Sequence, residues 1–376
     1  NFYGIAQRRA VFSRGIGCTL LTAGEDTLNR QFKRVATKPL DSNIAWPHGS
    51  APVQITSSLA QVLEKAFDEP DPVLRRNTKA IVVIHKGQLI AEKYADGIEP
   101  STPLIGWSMT KSVTNLLLGL LVHDGALALD QPAPVPAWQR NKEDPRADIT
   151  ISQLLRMSSG LDFDESYGPY TDVTRMLSVA PSAAEYAASK TLAHAPDTHW
   201  AYSSGTSNIL AGIIKSVVGD TFQDYYEFPQ NRLFLPLGIH TASMETDNSG
   251  TGIGSSYMYA SARDWARLGQ FCLQDGVWQG VRLIPENWIK FSTTPTPNNP
   301  ARNFGAHFWL NEKPVDPTLQ NTWPRLPADT YSMNGYQGQR VIIVPSHELV
   351  VVRMGFSPHG NRGIEELVAD VIRLLE

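Results

Sequence analysis

Two apolar hairpin patterns lie near opposite ends of the chain, and they limit its fold more than any other feature. The first is Ala80-Ile81-Val82-Val83-Ile84, a Lys86-Gly87 turn, then Leu89 to Tyr94. The second is Gln339 to Val344, a turn at Pro345-Ser346-His347-Glu348, then Leu349 to Met354. Short β-branched runs separated by turn residues are hairpin signals. From Ser108 to about Gly238 the periodicity is helical and no strand is evident. Helices are expected at Thr56–Asp68 and Gly363–Leu375, and these flank the hairpins. The fold class is therefore α+β: one antiparallel β-sheet built from both ends of the chain, with an inserted all-helical domain. Residues 1–105 and 239–376 form the sheet domain and 106–238 the helical one, with the active site in the cleft between them. Residues 1–55 are irregular beyond a short amphipathic start, Tyr3 to Phe12. Phe304 to Leu310 is expected to be a further strand, and Ser261 to Asp275 an amphipathic helix.

The most informative stretch for chemistry is Gly106-Trp107-Ser108-Met109-Thr110-Lys111-Ser112, which runs into the apolar segment Leu116–Val122. Positions i and i+3 at a helix start share a face, so the Lys111 amine can reach the Ser108 hydroxyl. A serine hydroxyl is a weak nucleophile until a neighbouring base takes its proton. An apolar helix wall gives a lysine the surroundings in which it can act as that base. On this stretch alone the alternative stands as well: Ser108 as an N-cap and Lys111 as a solvated first-turn residue.

The 376 residues are 42% hydrophobic and 19% charged, with a net charge near −4. That gives neither the basic surface expected of a nucleic-acid partner nor a membrane span, since the longest apolar run is too short. Cys18 and Cys272 are expected to be separate thiols more readily than a disulfide. A first residue of Asn1 fits a removed signal peptide, hence a periplasmic or secreted protein, as well as a cytoplasmic one. The oligomeric state is not fixed by the sequence.

Further motifs follow in order: Leu127-Ala128-Leu129-Asp130-Gln131-Pro132, Leu154 to Leu161, Tyr202-Ser203-Ser204 ahead of Asn208 to Gly212, and Gly335-Tyr336-Gln337-Gly338-Gln339. Together with Trp107 to Lys111 they resemble the serine β-lactamase and penicillin-binding-protein superfamily. The closest branch is the class C-type hydrolases, which include family esterases, D-aminopeptidases and nylon-oligomer hydrolases. The resemblance covers roughly residues 55–376 and implies a β-lactamase/transpeptidase-like fold. It also implies Ser108, Lys111 and Tyr202 as catalytic residues, with Tyr202 a general base near the lysine. The amides of Ser108 and Gln339 would form an oxyanion hole, with Gly338 leaving room for substrate beside the strand. Ser204 would bind near Lys111 or the substrate. Trp107, Tyr167, Tyr170 and Tyr336 would line the cleft, and one of Tyr167 and Tyr170 would cover the substrate. The acids Asp162, Asp164 and Glu165 in that loop are expected to be solvated, the alternative being a site for a cationic substrate group. The family's usual lysine in the third box is missing, which favours an esterase or amide hydrolase over a β-lactamase.

No Gly-x-Ser-x-Gly, no metal-type histidine spacing and no dinucleotide or phosphate loop occurs, and His199, His307 and His359 are expected to be surface or structural. Neither a metal nor a cofactor is expected. The expected partner is a small-molecule ester or amide, cleaved through an acyl-enzyme on Ser108. The alternatives are a D,D-peptidase or β-lactamase, or a non-catalytic penicillin-binding-like sensor.

Overall fold

The computed structural model describes residues 9–358 and 363–376, apart from 26, 29, 38, 142, 220 and 317. His359 and the first part of the expected Tyr3–Phe12 segment lie outside the described residues. The rest of that segment is the strand Ala10–Ser13, paired with Gly17–Leu20.

Helix α1 (Ser57–Phe67) starts where the Thr56 hydroxyl accepts from the Leu59 amide, an ordinary N-cap. Strands β1 (Thr78–His85) and β2 (Gln88–Tyr94) form the first hairpin. Helix α2 (Met109–His123) and helix α3 (Ser204–Val218) cross the middle of the chain, and α4 (Ala262–Leu273) follows. Strands β3 (Trp309–Leu310), β4 (Tyr331–Gly335), β5 (Gln339–Val344) and β6 (Leu349–Gly355) precede the last helix, α5 (Ile364–Leu375).

The main sheet has six antiparallel strands in the order β3-β4-β5-β6-β1-β2, so the two hairpins join where β6 pairs with β1. Register alternation splits the strands between two cores. Ile81, Val83, Ile342, Val344 and Val351 face Leu59 and Leu63 of α1 and Leu367 and Val371 of α5. Val82, Ile84, Val341, Ile343 and Val350 face the larger core with α2 and α4. Both faces are covered, so these strands are apolar without the polar alternation of a half-exposed sheet. Gly269 of α4 lets that helix close on the sheet: a Cβ there would stand 2.6 Å from Val350 Cγ1.

Among the described residues no strand lies between Ile105 and Ser243. The expected strand Phe304–Leu310 is largely a turn. Only Trp309–Leu310 pairs with β4, because Ala306 donates to the Ser292 carbonyl and His307 takes a left-handed φ of 62°. Cys18 and Cys272 are both free; Cys18 is exposed and Cys272 buried. No described helix is long and apolar enough to cross a membrane.

Candidate active site

The site is built where β4 ends and α2 begins. Gly106 is pressed against Trp265, whose ring would lie 2.3 Å from a Cβ at that position. Trp107 follows with φ 48°, a left-handed conformation that a bulky residue adopts only under constraint. This sharp turn delivers Ser108 at the head of α2. Ser108 makes no side-chain capping bond. Its Oγ instead accepts from Lys111 Nζ at 3.1 Å, which settles the choice between cap and pair.

Lys111 is 2% exposed. Besides Ser108 it donates to Ser204 Oγ at 3.1 Å and to the Ser255 carbonyl at 3.0 Å. Three acceptors thus match the three hydrogens of an ammonium group. The same Nζ stands 4.8 Å from the centre of the Tyr202 ring, a cation–π distance. Tyr202 in turn packs against Phe304 and Trp309.

Ser204 is completely buried at the start of α3. Its amide donates to Glu165 Oε2 at 2.7 Å and its hydroxyl to Oε1 at 2.6 Å. Burial pushes the Glu165 carboxyl above its usual range, against the opposing pull of Lys111 and of the two Ser204 hydrogen bonds. The expectation of a solvated acidic loop fails at Glu165, which is half-buried. It holds for Asp164, whose carboxylate is exposed and caps Ser166.

Beneath the site, His307 places Nδ1 3.0 Å from the Lys111 carbonyl and Nε2 3.2 Å from Ser207 Oγ. Since a carbonyl can only accept, Nδ1 carries the proton and Nε2 accepts from Ser207. Burial and then the nearby Lys111 charge hold this imidazole neutral, its pKa lowered to about 3. His307 is thus a buried hydrogen-bonded histidine, as expected.

Ser108, Tyr202 and Glu165 open on a cavity of about 650 Å³. Trp107, Tyr167, Tyr336 and Trp309 supply aromatic walls, and Ser256, Asn303, Asn334 and Arg340 supply polar points. Burial, then the neighbouring Arg353, lowers the Arg340 guanidinium to about 9, so it stays charged at neutral pH. Its Nη1 donates to the Gly335 carbonyl at 2.7 Å and fixes the end of β4.

The structure brings most of the expected residues to this cavity, but not all. Tyr170 is 90% exposed and lies outside the wall, whereas Tyr167 is part of it. Gly338 and Gln339 are also outside it. Gly338 has φ 82°, so its glycine serves the turn. The Gln339 side chain accepts from the Gly355 amide at 2.9 Å and donates to the Tyr336 carbonyl at 3.2 Å, which ties it to the sheet. The residues at the wall are Asn334, Gly335 and Tyr336. Gly335 meets Gly106 so closely that a Cβ would lie 2.1 Å from the Gly106 carbonyl oxygen. Among the described residues neither the Ser108 amide nor the Tyr336 amide donates a hydrogen bond within the protein. The sequence signal for Gly335 was present, as one of two glycines three residues apart. Glu165 carried no signal beyond its place two residues before Tyr167.

No set of three or more His, Cys, Asp or Glu side chains among the described residues could hold a metal ion.

Comparison with known proteins identifies the family and the fold. The chain is similar to the 6-aminohexanoate-dimer hydrolase of Paenarthrobacter ureafaciens, 26% identical over 226 residues. That stretch covers 57% of this chain and 56% of the relative, so the match spans little more than half of its length. A candidate 6-aminohexanoate-dimer hydrolase of Bacillus anthracis has a similar fold, with TM-score 0.65, 19% identity and 86% of each chain covered. So does a class C β-lactamase of Rhodobacter sphaeroides, with TM-score 0.61, 18% identity, and 85% of this chain and 99% of that one covered. The family model described as Beta-lactamase matches residues 63–369, from α1 to the last helix and with every wall of the cavity included. The chain belongs to the Beta-lactamase family.

Proposed function

We propose that the protein is a serine hydrolase that cleaves small esters or amides through an acyl-enzyme on Ser108. One observation carries this reading: the buried Lys111 amine lies 3.1 Å from Ser108 Oγ on the floor of an aromatic cavity. Ser108 attacks the carbonyl and Lys111, the basic group within hydrogen-bond reach, takes its proton. Tyr202, held over the amine, passes its proton to the leaving group and regains one from Lys111, which returns the lysine to a free amine. The developing oxyanion is held by the Ser108 amide and by the Tyr336 amide at the end of β4, in place of Gln339; such a donor typically contributes about 3 kcal/mol to transition-state stabilisation. Water then releases the acid. Segment 106–238 supplies one wall of the cleft and segment 239–376 the other, while 1–105 belongs to the same sheet domain as the second wall without lining the cavity.

The aromatic walls suit an apolar acyl or leaving group. The relative named for hydrolysis of the 6-aminohexanoate dimer points to short amides. Arg340 supports a second reading. It places a cation in the wall where the third box lacks its lysine, so a β-lactam carboxylate could bind there.

The test is intact-protein mass spectrometry after treatment with a fluorophosphonate, with Ser108→Ala alongside. Turnover of p-nitrophenyl acetate, p-nitrophenyl butyrate, a short amide and benzylpenicillin is then measured. One adduct, absent from the variant, with steady ester or amide turnover supports the reading. Rapid penicillin turnover with slow esters would favour the second, and acylation without turnover would indicate a sensor.

A further inference from the structure

The Ser204 hydroxyl has one hydrogen, and the geometry commits it. Glu165 Oε1 lies 2.6 Å away and accepts it, so the Ser204 oxygen is left to accept from Lys111 Nζ at 3.1 Å. The result is an unbroken directed chain, Lys111 to Ser204 to Glu165, that starts at the atom bonded to Ser108. The Ser204 amide holds the other carboxylate oxygen at 2.7 Å, so the acid cannot swing out of line without losing both bonds. An ammonium with all three hydrogens engaged has no lone pair for Ser108, and among its three described acceptors only Ser204 passes on to a carboxylate.

We propose that Glu165 is a positioning residue that draws the third proton of Lys111 through Ser204 and so presents Ser108 with a free amine. In the step, an N–H bond of Lys111 breaks as an O–H bond forms on Ser204. The original Ser204 O–H breaks as one forms on Glu165 Oε1. The pair –NH₃⁺/–COO⁻ becomes –NH₂/–COOH, the net charge is unchanged, and Ser204 is again a hydroxyl. The amine lone pair then accepts the Ser108 proton as the acyl bond forms. When the acyl-enzyme is hydrolysed the protons return along the same path. The desolvation that raises the Glu165 carboxyl favours its neutral form and supports the transfer. The groups that face this pair are Asp164 and Tyr167 from the same loop, Tyr202 ahead of α3, and the neutral His307 below Lys111.

This inference rests on the acyl-enzyme reading above, and the experiment separates the two. The pH dependence of kcat/KM for p-nitrophenyl butyrate and the rate of fluorophosphonate labelling are measured for the wild type, Glu165→Gln, Glu165→Asp and Ser204→Ala. With the relay intact, the acid limb reports the first proton lost by the coupled pair. In Glu165→Gln the amine must lose its proton to solvent, so the limb moves to higher pH by at least about one unit. Activity at pH 7 falls at least ~10-fold and recovers at alkaline pH. Ser204→Ala shifts the limb in the same direction, and Glu165→Asp returns it part of the way. A loss of the same factor at every pH in both Glu165→Gln and Ser204→Ala would show that Glu165 only props the loop, and would overturn the proposal while leaving Ser108 labelled. If Glu165→Gln lacks cooperative thermal unfolding, Ser204→Ala decides. Absence of any adduct on wild-type Ser108 would overturn the acyl-enzyme reading and this inference together.

Discussion

Lys111 and Tyr202 are bound face to ion: the ammonium stands 4.8 Å from the ring centre, and that ring is braced by Phe304 and Trp309. Their contributions should therefore separate on mutation. Lys111→Ala should lower kcat for p-nitrophenyl butyrate by about 10²–10⁴-fold, since it removes the proposed proton acceptor. Tyr202→Phe keeps the ring over the amine and loses only the hydroxyl, so kcat should fall by about 10²-fold with KM little changed. A larger loss in Tyr202→Phe than in Lys111→Ala would point to Tyr202 as the primary base.

The proposed second oxyanion donor is the Tyr336 amide, and proline substitution tests it by removing the amide hydrogen. Tyr336→Pro should reduce kcat by about 10²–10³-fold. Gln339→Ala keeps its amide and loses the side-chain ties to Tyr336 and Gly355, so it should lower the melting temperature with kcat nearly unchanged. Thermal melts of both variants distinguish the two outcomes. A Tyr336→Pro variant that folds and keeps its full kcat would take the role away from Tyr336.

Tyr167 and Tyr170 are three residues apart, yet only Tyr167 belongs to the cavity wall. Tyr167→Ala should raise KM for p-nitrophenyl butyrate several-fold, roughly 1 kcal/mol of lost aromatic contact. Tyr170→Ala should match the wild type within error. Steady-state kinetics on the two variants check this.

Stability should fall on the acid side because of His307. Its folded pKa of about 3 lies below the ordinary value of 6.5, so the unfolded chain binds a proton that the folded one refuses. Stability from this group is complete above pH 6.5 and is lost as the pH falls toward 3. The slope is about 1.4 kcal/mol per pH unit for one proton. Urea unfolding between pH 7 and 4 should show this, and His307→Gln should flatten that part of the profile. The variant should also be less stable at pH 7 by about 1–3 kcal/mol, the usual effect of disturbing buried hydrogen bonds.

What the sequence made legible was local or periodic. The Ser108–Lys111 spacing, the apolar α2 and the two hairpins each depend on neighbours a few residues away, and the structure contains them all. Three features depended on distant partners. Glu165 looks like any acid in a polar loop until Ser204, 39 residues on, is seen to take both its oxygens. Gly335 and Gly338 are equivalent in the sequence; the Gly106 carbonyl, more than 200 positions away, selects Gly335. Phe304–Leu310 has strand composition, but the Ser292 carbonyl captures the Ala306 amide and turns the chain.

The seam between β1 and β6 has a consequence for biogenesis. Residues 78–85 have only their hairpin partner β2 until residues 349–355 exist, and β4, which carries Gly335 to the back of Gly106, is anchored to that seam through β5. A chain still emerging from the ribosome therefore holds Ser108 and Lys111 for most of its synthesis without the wall that faces them. On the acyl-enzyme reading, reactivity waits for that seam to close, and a chain stopped before the last hairpin should leave Ser108 unlabelled by a fluorophosphonate.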